Sequence, residues 1–157
     1  MKDEYNASII VKNIAYILAA PIVVFGLYVI LHGHLTPGGG FPGGAILATL
    51  IALFLVSFGQ KGAKDLRRSS FSVLETLGLV AFATLAFLGI SATFFRNFMA
   101  NSGQLFGRVV PFGPNPGYLN TGGTIPLMNL AVGLEVFSAL SLIILIIFTN
   151  SAGGEDD

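Results

Sequence analysis

The sequence predicts an all-α integral membrane protein with four transmembrane helices and a glycine-rich loop between the first two. Hydrophobic residues make up 54% of the chain and charged residues only 10%, whereas a soluble domain carries about 25% charged residues. Several apolar stretches also reach the length of about 18 residues that a helix needs to cross a bilayer. Four such helices leave too little chain for a second domain, so we expect a single membrane domain over residues 1–157.

Charge and cysteine content exclude several classes of function. Eight basic residues balance eight acidic ones, so no net positive field favours a nucleic acid partner. The chain has no cysteine, which excludes disulfides, thiol chemistry and cysteine-ligated iron–sulfur clusters. The expected surroundings are the lipid bilayer and other membrane proteins.

The first two predicted helices flank the glycine-rich loop. The first runs from about Asn13 to Leu31 and contains Pro21, which removes one backbone hydrogen bond and is expected to kink the helix. The second runs from about Gly43 to Phe58. Small residues recur at every fourth position there, at Gly40, Gly44, Ala48 and Ala52. Such a stripe allows close approach of another helix in lipid, although small residues can also simply face lipid.

The third and fourth predicted helices follow two polar connections. The third runs from about Phe71 to Phe95, after the basic segment Gln60–Ser70. The fourth runs from about Ile125 to Phe148, after a glycine-rich connection that contains Pro111, Pro114 and Pro116.

The distribution of basic residues predicts the orientation in the membrane. With four helices, the amino terminus, the basic segment and the carboxyl terminus share one side. That side carries Lys2, Lys12, Lys61, Lys64, Arg67 and Arg68, whereas the other side carries only Arg96 and Arg108. Cytoplasmic loops are enriched in lysine and arginine. We therefore expect a multi-pass protein of the cell membrane with both termini in the cytoplasm and the glycine-rich loop outside.

The glycine-rich loop runs from His32 to Gly44 and reads HGHLTPGGGFPGG. Backbone groups that leave a helix need partners at membrane depth, so this loop must lie outside the hydrocarbon, pack into protein or line a wet cavity. It is not a phosphate-binding loop, because no lysine follows the glycines. It is not a dinucleotide fingerprint either, because it follows an apolar helix rather than a strand.

Glu135 is the most informative residue outside the loop. It lies near the middle of the fourth predicted helix, with Ala131 and Ala139 one turn to either side. A carboxyl at membrane depth is costly and is a functional candidate by default, because burial disfavours its charged form. It could relay protons or bind Na⁺. Alternatively, a neutral Glu135 could hydrogen-bond to a neighbouring helix.

Three further polar residues could belong to an ion path. Glu75 lies in the first turns of the third predicted helix, where an acid also complements the helix dipole. Asn129 and Ser138 lie on the fourth predicted helix and could extend a polar path around Glu135.

His32 and His34 end the first predicted helix and could handle protons near neutral pH, form structural hydrogen bonds or contribute to a metal site. No Asp, Glu or Cys lies near them in sequence to complete a metal site, so we predict no metal and no resident cofactor. No nucleophile is paired with a base, so we predict no catalytic residue.

The loop resembles that of the MnhB family, the B-type subunits of the Mrp-type multisubunit cation/proton antiporters, whose loop typically reads Gly-His-x-x-Pro-Gly-Gly-Gly-Phe-x-Gly-Gly. The matching residues are Gly33, His34, Pro37, Gly38, Gly39, Gly40, Phe41, Gly43 and Gly44. Pro42 stands where relatives often carry glutamine. The fourth helix looks like that of archaeal-type members, and Asn129 stands where bacterial relatives often carry aspartate.

The resemblance implies a non-catalytic membrane subunit of an antiporter module that moves Na⁺ or H⁺. Archaeal-type members occur in stand-alone Mrp antiporters and in the Mrp-like modules of ferredoxin-linked redox complexes, such as membrane-bound hydrogenase and sulfane reductase. In this interpretation Glu135 is the ion or proton site, Glu75 is auxiliary, and the glycine-rich loop packs closely against neighbouring subunits. The alternative is a structural subunit that braces the module without an ion site of its own.

Overall fold

The computed structural model describes residues 7–90, 93–110 and 118–153. In these residues it contains four helices and no strand, which confirms the predicted fold class. Judged by its length and composition alone, each of these helices is long and apolar enough to cross a membrane. Lys2 and the three prolines of the last connection lie outside the described residues. The helices are α1 (Ile9–Leu31), α2 (Gly40–Asp65), α3 (Arg68–Leu88) and α4 (Ile125–Gly153).

Helix α1 begins four residues before the predicted start at Asn13. The Ser8 side chain accepts a hydrogen bond from the backbone N–H of Val11 at 3.4 Å. This contact is an N-cap, which satisfies one of the unpaired donors of the first turn. The helix then continues through Pro21 to Leu31.

Helix α2 is longer than predicted at both ends. It begins at Gly40, three residues before the predicted start, and it extends beyond Phe58 to Asp65. Gly59 has φ 59° and ψ −145°, so two helical pieces meet there at a kink. Such a φ is readily adopted only by glycine. Much of the predicted basic loop 60–70 is therefore helical, and we call residues 60–67, after the kink, the basic elbow.

Helix α3 ends at Leu88, although the apolar run predicted a helix as far as Phe95. The chain turns at Gly89, and the backbone of Arg96 lies against this glycine, where a Cβ atom would come within 2.8 Å of the Arg96 nitrogen. The Phe95 N–H donates to the Ala86 carbonyl at 3.2 Å. The apolar residues after Leu88 thus cover the end of α3 instead of extending it.

Helix α4 is the central element of the packing. It packs against α2 on one side and α3 on the other, while α1 packs mainly against α2. Helices α2 and α3 do not pack against each other along their lengths. The spatial order is therefore α1, α2, α4, α3. At the elbow end, Leu55, Phe71 and Leu145 form a buried cluster from three helices.

The predicted stripe of small residues lies on the face of α2 that contacts α4. A Cβ atom on Gly40 would lie 2.5 Å from the carbonyl oxygen of Asn129, and one on Gly44 would lie 2.7 Å from that of Gly133. Ala48 is also buried, whereas Ala52 is half-buried. At Gly40 and Gly44 this close contact is made between two helices of the same chain.

Replacing Gly44 with valine should destabilise the chain, because the added carbons meet the α4 backbone, which cannot rotate away. Overpacking of this kind costs about 1–3 kcal/mol. Denaturation of the purified full chain in detergent, followed by far-ultraviolet circular dichroism, measures the effect. Thr49→Val places the same side chain on the exposed face of α2 and should leave stability nearly unchanged. Equal stability of the two variants would contradict the close contact.

Candidate functional site

The two histidines of the glycine-rich loop point to different partners. The His32 ring stacks on Tyr28 at a centroid distance of 4.0 Å, and its Nδ1 donates to the Tyr28 carbonyl at 3.1 Å. His34 reaches the connection that precedes α4, where its Nε2 lies 3.4 Å from the Tyr118 carbonyl oxygen. A Cβ atom on Gly122 would touch the His34 ring at 3.0 Å. The described residues contain no group of three His, Cys, Asp or Glu side chains suited to a metal ion.

Asn129 lies against the glycines of the loop. A Cβ atom on Gly33 would come within 2.6 Å of the Asn129 Nδ2 atom, and one on Gly39 would lie 3.4 Å from its Oδ1 atom. Gly39 also has φ 127°, a conformation that other residues resist. The glycines of the family motif therefore make room for a polar side chain of α4.

Two polar atoms of this region are buried and have no hydrogen-bond partner among the described residues, namely Asn129 Nδ2 and His34 Nδ1. The amide nitrogen is a donor. If His34 is neutral and donates from Nε2 to Tyr118, its Nδ1 is an acceptor. Buried groups of this kind are normally satisfied by protein or by ordered water. The region thus offers one donor and one acceptor to a small polar ligand such as water.

Asn97 fastens the start of α4, although nothing in its sequence context indicates this role. Its Oδ1 atom accepts hydrogen bonds from the Thr124 N–H at 2.8 Å and the Thr124 hydroxyl at 3.1 Å. Its Nδ2 atom donates to the Gly122 carbonyl at 2.8 Å. A single amide therefore satisfies three polar groups just before the first turn of α4, and it holds the connection against that helix.

Glu135 and Glu75 flank the contact between α3 and α4. A Cβ atom on Gly78 would lie 2.8 Å from the Glu135 nitrogen and 2.9 Å from its Cβ atom. Glu75 precedes Gly78 by three residues, so the two lie on one face of α3. Both acids are half-buried. Among the described residues neither carboxyl has a hydrogen-bond or ion-pair partner.

The predicted path around Glu135 divides into two separate groups. His34 and Asn129 lie at the loop, against α2, whereas Glu135 and Glu75 lie at the contact with α3. Ser138 is fully buried, but its hydroxyl donates to the Leu134 carbonyl of its own helix at 2.7 Å. It is therefore used locally and is not bonded to Glu135.

An apolar groove of about 490 Å³ lies along the interface of α3 and α4. Its lining residues are Ala81, Thr84, Leu85, Leu127, Leu130, Ala131 and Leu134. Thr84, the only hydroxyl among them, donates to the Val80 carbonyl at 2.7 Å. The groove therefore presents mainly apolar groups, so a hydrated path along it would need polar groups from another source.

Comparisons with known proteins give one consistent result. A family model described as a domain related to the MnhB subunit of Na⁺/H⁺ antiporters matches residues 10–142. An uncharacterized protein of Methanocaldococcus jannaschii is 34% identical over 135 residues, which cover 84% of this chain and 49% of that protein. The B-type Na⁺/H⁺ antiporter subunit of Bacillus subtilis is 30% identical over 80 residues, which cover 51% of this chain and 56% of that protein.

A solved structure has the same fold. A chain of the membrane-bound sulfane sulfur reductase, an archaeal respiratory membrane complex, superposes with a TM-score of 0.72 at 31% identity, covering 94% of this chain and 60% of that one. Together, the comparisons confirm the resemblance carried by the glycine-rich loop. The chain spans about half the length of the curated relatives it matches.

Replacing Asn97 with alanine should loosen the first turn of α4. The loss of a capping side chain and its hydrogen bonds costs about 1–3 kcal/mol, and the effect should be local. Amide hydrogen exchange of the full chain should speed up at residues 122–128 and remain unchanged in α1. Asn120→Ala removes an exposed amide of the same connection and serves as the control. Unchanged exchange in Asn97→Ala would contradict the fastening role.

Proposed function

Because the chain belongs to the family of MnhB-type subunits of Na⁺/H⁺ antiporters, we propose that it is a non-catalytic membrane subunit of an Mrp-type antiporter module and contributes to translocation of Na⁺ or H⁺. The family match covers most of the four helices and their connections. The ion is a transported substrate in this proposal, and the proposal includes no resident cofactor. Its partners are the other membrane subunits of the module.

The observation that carries an ion-handling role is the position of Glu135. A carboxyl in a membrane helix is costly unless it is paired, bonded or used. Glu135 lies at the contact of α4 with Gly78 of α3, half-buried and without a bonding partner among the described residues. Gly78 has no side chain, so the backbone of α4 at Glu135 lies directly against α3. Glu135 can therefore accept a proton or a cation from a path completed by a neighbouring subunit.

Glu75 is the auxiliary group in this proposal. It lies one turn of α3 from Gly78, and one turn corresponds to about 5.4 Å along the helix. An ion that leaves Glu135 would thus reach a second carboxyl, that of Glu75, about one turn further along α3. Glu75 lies toward the end of α3 and α4 that is next to the basic elbow. His34 and Asn129, and His32 behind them, lie at the opposite end, where they could hold water at the entrance.

A purely structural role is the second candidate, and a different observation favours it. The groove between α3 and α4 is apolar, and Ser138 is bonded to its own helix. A subunit that only braces the module would need this packing surface and no continuous polar path. In that case Glu135 would bond to a helix of a partner.

The proposal also covers the orientation in the membrane and the type of complex. The excess of basic residues on the elbow side supports cytoplasmic termini and a glycine-rich loop on the outer side. The likeness to a chain of an archaeal respiratory complex supports a module that is coupled to a ferredoxin-linked redox complex over a stand-alone antiporter. Co-purification of subunits with iron–sulfur or nickel centres tests this point, and their absence from an intact complex would contradict it.

Glu135→Gln keeps the shape of the side chain but removes its ability to exchange a proton or neutralise a cation. In the assembled complex, reconstituted in vesicles, we expect Na⁺ and H⁺ transport to fall to background while all subunits still co-purify. Glu75→Gln should reduce transport less. Asp65→Asn, which changes an exposed acid of the basic elbow, is the matched control and should transport normally.

The outcomes of this experiment separate the two candidates. Normal transport by Glu135→Gln would overturn the ion-site role and leave the bracing role. Failure of the complex to assemble would indicate that Glu135 bonds to a partner helix. Loss of transport in an intact complex supports the ion path.

A further inference from the structure

A second cavity lies between α1 and α2, away from both polar groups described above. It has a volume of about 230 Å³. Helix α1 contributes Ala15, Tyr16 and Ala19, and α2 contributes Leu50, Ile51, Leu53, Phe54 and Phe58, with Leu66 of the basic elbow. Apart from the Tyr16 hydroxyl, these side chains carry no polar atom. The cavity therefore suits a hydrocarbon ligand.

The size of the cavity decides what kind of hydrocarbon fits. An apolar cavity of about 150 Å³ holds a benzene molecule, so this one accommodates a segment of a single acyl chain. A transmembrane helix of a partner is about 10 Å across and is too wide to enter between two helices that already touch. These helices touch about two turns of α1 beyond Ala19, where a Cβ atom on Gly26 would lie 2.7 Å from the Leu47 side chain.

The charges beside the cavity decide the headgroup. Leu66 lines the cavity, and Arg67 follows it directly, while Lys64 lies two residues before it; both cations are exposed. Lys61 and Lys12 lie on the same side of the molecule and already interact with other groups. Asp65 is the acid of the elbow. The balance is positive, and clusters of basic residues at a membrane surface attract anionic lipid headgroups.

The kink at Gly59 brings the two features together. Its left-handed backbone conformation redirects the chain after Phe58, and Gly62 of the elbow packs against Phe54 and Phe58, where a Cβ atom would lie 2.9 Å from Phe58. The same two aromatic rings wall the cavity. The elbow therefore lies across the end of the cavity, with its basic side chains exposed at that end.

We propose that the α1–α2 cavity and the basic elbow form a binding site for one anionic phospholipid. One acyl chain occupies the cavity against Tyr16, Phe54 and Phe58. The phosphate lies beside Lys64 and Arg67. This site is independent of which ion the module moves and of whether Glu135 carries it.

The test measures lipid retention by the full chain in detergent, using native mass spectrometry. The probes are phosphatidylglycerol and phosphatidylcholine with the same palmitoyl and oleoyl chains. We expect one phosphatidylglycerol to be retained in preference to phosphatidylcholine. The double substitution Lys64→Gln and Arg67→Gln should lower phosphatidylglycerol affinity about tenfold or more, because each basic residue near an anionic lipid contributes a favourable interaction. Ala19→Leu fills the cavity and should lower retention of both lipids.

Two controls show whether the effects belong to this site. Arg108→Gln removes a cation from the other end of the molecule, where it stacks on Tyr118 at 3.8 Å. Ala81→Leu fills the groove between α3 and α4 instead. Both should retain lipid as the unmodified chain does. If Ala19→Leu does not fold, Leu53→Phe fills the same cavity from the other helix. Equal retention of the two lipids, or unchanged retention in either site variant, would overturn the proposal.

Discussion

The structure depends on close contact of α4 with glycines on both of its neighbours. On one side Gly40 and Gly44 of α2 lie against its backbone, and on the other side Gly78 of α3 does so. In lipid no hydrophobic force drives apolar helices together, so van der Waals contact at small residues has to hold them. These two contacts set the order of the helices. They also place Asn129 beside the glycine-rich loop and Glu135 beside α3.

The polar groups of the chain show a division of roles. Asn97 and Thr124 satisfy each other at the start of α4, and Ser138 is satisfied by its own helix. In contrast, buried polar atoms of His34, Ser57, Asn129 and Ser141 have no partner among the described residues. An unsatisfied buried donor or acceptor costs about 1–3 kcal/mol. Such unpaired groups are expected in a subunit whose hydrogen bonds are completed by water or by neighbouring subunits.

Long patterns in the sequence predicted the fold, and local contacts decided what the sequence left open. Four apolar runs were sufficient to predict four membrane helices. The predicted end of the third helix at Phe95 was wrong, because α3 ends at Leu88, where the backbone of Arg96 lies against Gly89. The elbow was missed because its polar composition resembles a loop. Glu135 was identifiable because an acid stands out in an apolar helix. Asn97 was not, because an asparagine in a polar connection gives no signal.

The order of the helices has a consequence for biogenesis. Helix α4 is the last of the four described helices to leave the ribosome, yet α2 and α3 contact it and not each other. Helices α1 and α2 can pair early through Gly26 and Gly43, whose backbones lie close together. Among the described helices, α3 has no packing partner until α4 inserts between it and α2. A partly synthesised chain that ends before α4 therefore exposes the glycine surfaces of α2 and α3 to lipid.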